Sequence, residues 1–281
     1  MLLFKTAAAL KSHLSSLDQK ARLGLVPTMG ALHRGHAALV ERAFRENDFV
    51  VVSIFVNPTQ FDNENDLNNY PQTLEPDMEL LKEISKDIMI FAPTVAEIYS
   101  NKVAAKTYDF EGLDRVMEGA FRSDHFNGVG TIVETLLRMV APDKAYFGEK
   151  DFQQLQIVKN LVASQQLPVT IVGCPIVRES SGLALSSRNE RLSKTLRKEA
   201  SFIYKTLVTA KKKFGTKSAK EIMQWVSEQF KAHPLLELEY IEIADSETLT
   251  PILKKQQNRK YRAFVAVYAE DVRLIDNIAL N

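Results

Sequence analysis

Along the first 175 residues of the chain, hydrophobic positions alternate between two rhythms. Short, nearly unbroken apolar runs occupy 23–26, 49–56 (FVVVSIFV), 88–91, 144–147 and 168–174. Runs of this length without polar alternation suit parallel strands covered on both faces. Between them, apolar residues return every three or four positions, as on one face of a helix. The first such stretch, 6–17, carries Ala9, Leu10, Leu14 and Leu17 behind a capping Thr6. Others are predicted at 36–46 (Leu39, Val40, Ala43, Phe44), 73–86, 129–140 (Ile132, Val133, Leu136, Leu137, Met139) and 150–163. The alternation predicts an α/β fold, a mostly parallel sheet with covering helices.

Two stretches break the rhythm. Residues 57–71 (NPTQFDNENDLNNYP) are polar and turn-rich, and longer than an ordinary connection, which hints at function. Residues 100–127 resist assignment and hold Gly112, Gly119 and the cluster Arg122, Ser123, Asp124, His125. Beyond 173–177, where a domain boundary is expected, the pattern changes. A loop spans 178–191, and one long amphipathic helix is predicted over 193–214, closed by Gly215. Ser218 and Glu221 form a capping box for a helix that stops near Pro234. Apolar runs at 238–243, 263–268 and 272–275 predict a small antiparallel sheet.

Composition narrows the function classes. Thirty-six Lys and Arg stand against 35 Asp and Glu, a net charge of +1, which argues against a general binder of nucleic acid or anionic membranes. The single cysteine, Cys174, excludes an intramolecular disulfide and a cysteine-rich zinc site; in its apolar run it reads as a buried small residue and not a nucleophile. There is no sustained signal-peptide core and no run long enough to span a membrane, so the cytoplasm is the expected location.

Candidate chemistry lies just after the strands, where an open parallel sheet binds its ligands. Three polar clusters, at 33–36, 57–60 and 148–154, are therefore predicted to face one crevice. The first belongs to VPTMGALHRGH (26–36). Pro27, lacking an N–H, is predicted to end strand pairing. Gly30 and Gly35 allow close backbone approach or positive φ. His33 and His36, three apart, can aim both imidazoles at one ligand beside the free N–H groups of a helix start. Three readings fit that spacing: phosphate recognition, a helix cap with a surface histidine, and a metal pair, which lacks a third ligand nearby.

In Gly148-Glu149-Lys150-Asp151 the glycine would admit a ligand, and Lys150 could reach phosphate oxygens. Asp151 could cap a helix or hold a ribose or a metal-bound water, and Gln154 can both donate and accept. In GLALSSRN (182–189), Ser186, Ser187 and Arg188 could surround a phosphate. Each segment reads equally as a capped helix or a surface loop. No Walker A, GxGxxG or GxSxG motif is present.

Taken together, PTMGALHRGH (27–36), VNPTQF (56–61), NNYPQTLEPD (68–77), HFNGV (125–129), YFGEKDFQQ (146–154) and VRESSGLALSSRN (177–189) closely resemble the pantothenate synthetase (pantoate–β-alanine ligase) family, within the HxGH nucleotidyl transferase superfamily. The segments span most of residues 1–190 in the family's order. The resemblance implies a Rossmann-like ATP- and pantoate-binding domain over 1–175 and a smaller α+β C-terminal lid domain over 176–281. It implies an AMP-forming ligase: ATP with Mg²⁺ activates pantoate as pantoyl adenylate, and β-alanine then displaces AMP to give pantothenate. Members are usually cytoplasmic homodimers of the coenzyme A pathway, with no nucleic-acid or membrane partner.

The same resemblance assigns roles. His33, His36, Lys150 and Arg188 are expected to be catalytic, through transition-state hydrogen bonding and charge. Met29, Gly30, Ala31, Leu32, His33, Arg34, Gly35, His36, Gly148, Glu149, Lys150, Asp151, Val177, Leu185, Ser186, Ser187 and Arg188 are expected to bind ATP. Gln60 and Gln154 are expected to hold pantoate, Gln60 also lying near β-alanine, and no side chain is assigned to metal. Two departures stand out. Arg122-Ser123-Asp124-His125 replaces Arg-Pro-Gly-His, which should loosen that loop and adds a negative charge. The 179–185 segment ESSGLAL replaces EPDGLAM; the Met-to-Leu change keeps volume. A related nucleotidyl transferase that stops at nucleotide transfer, and a nucleotide sensor, are the competing readings; Gln60 with Gln154 favours the ligase.

Overall fold

The structure, a computed structural model, describes residues 1–99, 102–252 and 254–281; Ser100 and Asn101, at the head of the unassigned stretch, lie outside the described residues. The chain opens with β1 (Leu2–Phe4), α1 (Ala7–Ser15), β2 (Leu23–Thr28), α2 (Arg34–Glu46) and β3 (Phe49–Ile54). It continues through α3 (Glu64–Asn68), α4 (Leu74–Ile84), β4 (Met89–Phe91), α5 (Val95–Ile98), α6 (Glu118–Phe121) and α7 (His125–Val140). Then come β5 (Lys144–Gly148), α8 (Phe152–Ser164) and β6 (Thr170–Cys174). These six strands form one wholly parallel sheet in the order β1-β4-β3-β2-β5-β6.

The apolar runs are unbroken because both faces of the sheet are covered. Successive residues of a strand face opposite ways. Val50 and Val52 of β3 pack with Leu39, Val40 and Ala43 of α2 and Leu81 of α4. Val51 points the other way, into a cluster with Leu10 of α1, Leu136 of α7 and Leu155 of α8. All three valines are fully buried, and each contributes about 1.5–3 kcal/mol by leaving water. The unassigned stretch has no strand among its described residues, but Phe110, Leu113 and Met117 bury themselves in the α7–α8 side of this core.

The rest of the chain forms α9 (Lys194–Glu199), α10 (Ser201–Phe214), α11 (Ala219–Lys231), β7 (Glu237–Asp245), β8 (Tyr261–Ala269) and β9 (Val272–Ala279). The strands make an antiparallel sheet, β7-β8-β9. Val265 and Val267 of β8 face Ile203 and Leu207 of α10 and Ile222 and Val226 of α11. Phe264, whose side chain alternates with that of Val265, faces the opposite way and meets Phe152 of α8 at 6.0 Å between ring centroids. The small sheet is thus sandwiched between its own helices and the first unit, as a lid-like layer.

Several boundaries differ from expectation. Pro27 does not end the pairing of β2: it sits opposite Ser53 of β3. The ladder from β2 to β5 involves only Gly24 and Leu25, so Pro27 lies where β2 has one neighbour. Helix α2 starts at Arg34 and α7 at His125, earlier than their apolar periods suggest, because their first turns are mostly polar residues and glycine, with Phe126 alone reaching the core from the start of α7. The single helix expected over 193–214 is two. The turn at Ala200 tightens, with Ile203 N–H bonding to the Ala200 carbonyl three residues back. Strand β1 is too short to show a period and is an edge strand on β4. No helix of the described residues is long and apolar enough to cross a membrane.

Candidate active site

The three polar clusters converge on one cavity at the carboxyl ends of β2, β3 and β5. One wall is the histidine turn. Between β2 and α2 the chain makes a left-handed reversal, with Gly30 at φ +83° and Ala31 at φ +48°. His33 is the N-cap of α2, its Nδ1 accepting the Gly35 N–H at 3.1 Å. His36 reaches back, its Nδ1 accepting the His33 N–H at 3.3 Å. This is a reciprocal capping box built from two imidazoles instead of a hydroxyl and a carboxylate. The rings lie 4.1 Å apart between centroids.

The box fixes the protonation pattern. With both Nδ1 atoms accepting, each neutral ring carries its proton on Nε2, leaving that N–H for a ligand. Burial, the Lys150 charge and the mutual repulsion of the rings hold both rings uncharged: His33 is lowered to about 4, by burial first and then Lys150, and His36 to about 3, by burial, then His33 and Lys150. The helix-cap alternative is therefore realised together with a cavity-facing role, and neither histidine is a plain surface residue: both line the cavity. Among the described residues, no group of three or more His, Cys, Asp or Glu is arranged to hold a metal.

Opposite stands the 3-10 turn Glu149–Asp151 after β5. Gly148, Lys150, Asp151 and Gln154 all line the cavity. The turn is pinned from the lid side, for Asn277 Nδ2 of β9 donates to the carbonyls of Glu149 and Lys150 at 2.9 and 2.8 Å. Glu149 faces away from the cavity and accepts from Arg262 at 3.2 Å. Gln60 closes the floor from the 3-10 turn Pro58–Gln60. Asn57 Nδ2 is shared between Gln60 Oε1 and the Gly128 carbonyl, at 3.1 Å each, and Gln60 Nε2 lies 3.0 Å from Met29 Sδ. The Gln60 carbonyl accepts from His125 Nδ1 at 2.7 Å, so His125 Nε2 is free to accept from Arg122 at 3.1 Å. Burial, then Arg122, lowers His125 to about 4.

The roof is the 177–188 loop. Val177 and Leu185 are joined by a backbone hydrogen bond of 3.0 Å, and both line the cavity with Ser186, Ser187 and Arg188. Ser186 does cap locally, its Oγ accepting the Arg188 N–H. Arg188 is tied to Asp66 of α3 at 2.7 Å, and Ser187 Oγ is 3.3 Å from the Tyr70 hydroxyl. The later part of the polar 57–71 segment, through Asp66 and Tyr70, is thus the other half of the roof. Asp124 takes the left-handed φ of +56° at the start of α7. Asp tolerates that region better than most side chains, so the turn forms without a glycine.

Of the predicted residues, Met29, His33, Gly35, His36, Gln60, Gly148, Lys150, Asp151, Gln154, Val177, Leu185, Ser186, Ser187 and Arg188 line the cavity. Gly30, Ala31 and Leu32 form the turn behind its wall, Arg34 is exposed and Glu149 serves the lid contact. Asn57 lines the cavity as its predicted cluster requires; sequence reasoning gave no individual role to Asp66 and Tyr70, within the marked 57–71 stretch, or to Asp77 and Asn277. Asp77, in the first turn of α4, accepts the N–H groups of Ala31 and Leu32 at 3.0 and 2.7 Å. Nothing in the sequence separates it from an ordinary carboxylate at a helix start. Cys174 is buried at the cavity edge, and burial pushes its thiol up, away from thiolate chemistry.

Comparison with known proteins agrees with this architecture. The family described as pantoate-beta-alanine ligase matches residues 2–279. A pantothenate synthetase of Christiangramia forsetii is 59% identical over 259 residues, 92% of each chain. One of Flavobacterium psychrophilum is 52% identical over the whole of both chains. A crystal structure of the Thermus thermophilus enzyme superposes with a TM-score of 0.92 at 43% identity, covering 100% of this chain and 99% of that one. The Francisella tularensis ligase, complexed with β-γ ATP and β-alanine, superposes with a TM-score of 0.81 at 35% identity, covering 100% and 98%. By sequence along nearly its whole length and by fold, the chain belongs to the pantoate–β-alanine ligase family.

Proposed function

We propose that this member of the family performs its ATP-dependent joining of pantoate to β-alanine in two steps within the one cavity. In the first, a pantoate carboxylate oxygen attacks the α-phosphorus of ATP, the bond to the bridging oxygen breaks, and pyrophosphate leaves with the electron pair. In the second, the β-alanine amine attacks the acyl carbon, AMP leaves, and the amine sheds a proton. The reading is carried by two uncharged imidazoles at a helix start, facing Lys150 across the cavity. Neutral Nε2–H donors and one fixed cation suit charge that builds on the leaving pyrophosphate.

The same chemistry explains the amides. Gln60 and Gln154 can hold hydroxyl and carboxylate groups without the salt bridge that would stabilise an attacking carboxylate in its ground state. Ser186, Ser187 and Arg188 would close over the phosphates, with residues 176–281 as the lid that keeps water from the mixed anhydride. Mg²⁺ fits as a companion of the phosphates: Asp151 on the cavity wall is a carboxylate that could hold it together with substrate oxygens. The Francisella tularensis ligase, complexed with β-γ ATP and β-alanine, supports both co-substrates. A cytoplasmic homodimer is part of this proposal.

The test is incubation with ATP, Mg²⁺ and pantoate, with and without β-alanine. Pyrophosphate release without β-alanine, and AMP release only with it, is the expected result. Absence of β-alanine-dependent AMP release would overturn it.

A further inference from the structure

We propose that Asp77 is a positioning residue for adenylate formation, its carboxylate holding the histidine turn in the conformation that aims His33 and His36 into the cavity. The inference rests on the reading that this turn carries the triphosphate. Asp77 touches no wall of the cavity; it acts behind it.

Its environment is built for one task. The side chain is 2% exposed, and its acceptor sites face the turn. Oδ2 accepts the Ala31 N–H at 3.0 Å, and Oδ1 accepts the Leu32 N–H at 2.7 Å and the Thr73 hydroxyl at 3.1 Å. Two successive amides aimed at one carboxylate make an anion-binding concavity of the backbone. Here the anion belongs to the protein. It lies in the first turn of α4, where the helix dipole favours negative charge.

The turn needs such a clamp. Ala31 is a non-glycine residue at φ +48°, and Gly30 precedes it at φ +83°. A conformation of that kind persists only where its surroundings impose it. A Cβ on Gly30 would stand 3.0 Å from Asp77 Oδ2 and 3.1 Å from Ile54 Cγ2, so the glycine also makes room for the carboxylate. Leu32, whose amide donates the shorter bond, is the residue before His33. Any relaxation of the clamped amides therefore passes directly to the capping imidazoles.

Asp77→Asn keeps the shape but turns an N–H₂ group toward a backbone N–H. Displacement of a catalytic group by about 1 Å can cost about a hundredfold. Single-turnover pyrophosphate release from ATP and pantoate should fall about 30- to 100-fold, while attack of β-alanine on pre-formed pantoyl adenylate, which needs no triphosphate, stays within about threefold. Thr73→Val, which removes only the hydroxyl on Oδ1, should slow the same step by about three- to tenfold. Unchanged pyrophosphate release in Asp77→Asn, or an equal loss in both half-reactions, would overturn the proposal. If Asp77→Asn does not fold, Thr73→Val decides by the same selective or unselective outcome. Wild-type protein run alongside separates the two ideas: if it releases no pyrophosphate without β-alanine, the adenylation reading has failed, not the role of Asp77.

Discussion

The Arg188 guanidinium lies 2.7 Å from the Asp66 carboxylate, each about a quarter exposed, so an arginine on the cavity roof is already paired with a carboxylate of the opposite strap. The same carboxylate is 3.5 Å from Arg191. A triphosphate that takes Arg188 must displace Asp66. A partly exposed ion pair is worth about 1 kcal/mol or less, so Asp66→Asn should tighten ATP binding about two- to fivefold and leave the roof less ordered. Titration calorimetry with a non-hydrolysable ATP analogue measures this. Weaker binding would show that Asp66 supports the nucleotide site instead of competing with it.

The histidine box predicts a pH signature. His33, His36 and His125 titrate near 4, 3 and 4 when folded, below their ordinary 6.5. The unfolded chain therefore binds more protons than the folded one between about pH 6.5 and those values, and stability falls as pH falls through that window. Each histidine contributes a slope of at most about 1.4 kcal/mol per pH unit. Glu46, held down to about 2 by Arg42 and Lys144, and Glu134, held down to about 2, against its burial, by Lys106 and Arg138, add their own loss as pH falls from the ordinary carboxylate value of 4.5 toward 2. Urea midpoints measured from pH 8 to 4 should decline, and His36→Ala should make the decline shallower. An identical profile in the variant would refute the burial of an uncharged ring at 36. In the same variant, pyrophosphate release should fall by roughly two orders of magnitude, as for loss of a donor to developing charge.

What could be read from the chain depended on how local the cause was. The strands β2, β3 and β5 and helix α2 announce themselves because two-sided burial and one-sided burial leave different periods in adjacent residues. The turn at 30–36 was legible because glycine and histidine are uncommon choices with specific uses. Asp77 and Asp66 were not, since their partners stand 45 and 122 residues away and a carboxylate at a helix start has a sufficient local reason to exist. Asn277 escaped for the same reason, reaching 127 residues back to the Lys150 carbonyl. The break at Ala200 was invisible because the apolar face continues through it: Leu196, Ala200, Ile203 and Leu207 all enter one cluster.

Gly128 shows how α7 sets the floor of the site. A Cβ there would fall 2.2 Å from the Thr59 carbonyl oxygen and 2.6 Å from the Gln60 nitrogen, contacts with backbone that cannot swing aside. Gly128→Ala should push the Pro58–Gln60 turn off α7, breaking the Asn57 bond to the Gly128 carbonyl. Overpacking of this kind costs about 1–3 kcal/mol. The KM for pantoate should rise more than the KM for ATP, and thermal unfolding should move down by several degrees. A variant with wild-type pantoate KM would mean that the Gln60 turn does not depend on this contact.

Gln154 offers the sharper test of the floor, because it perturbs one side chain and no backbone. It lies in the first turn of α8, on the cavity wall, one turn beyond Lys150. Its neighbour Gln153 is structural, donating to the carbonyls of Leu113 and Val116 and accepting the Glu118 N–H. Adjacent glutamines thus divide the work: Gln153→Ala should lower stability, whereas Gln154→Ala should leave the unfolding midpoint near wild type. If Gln154 holds pantoate, Gln154→Ala should raise the pantoate KM by about tenfold or more, the worth of one or two hydrogen bonds, with the ATP KM within about twofold. Equal rises in both constants would place Gln154 in general ordering of the cavity and remove it from the pantoate clamp, leaving Gln60 as the amide that faces the carboxylate.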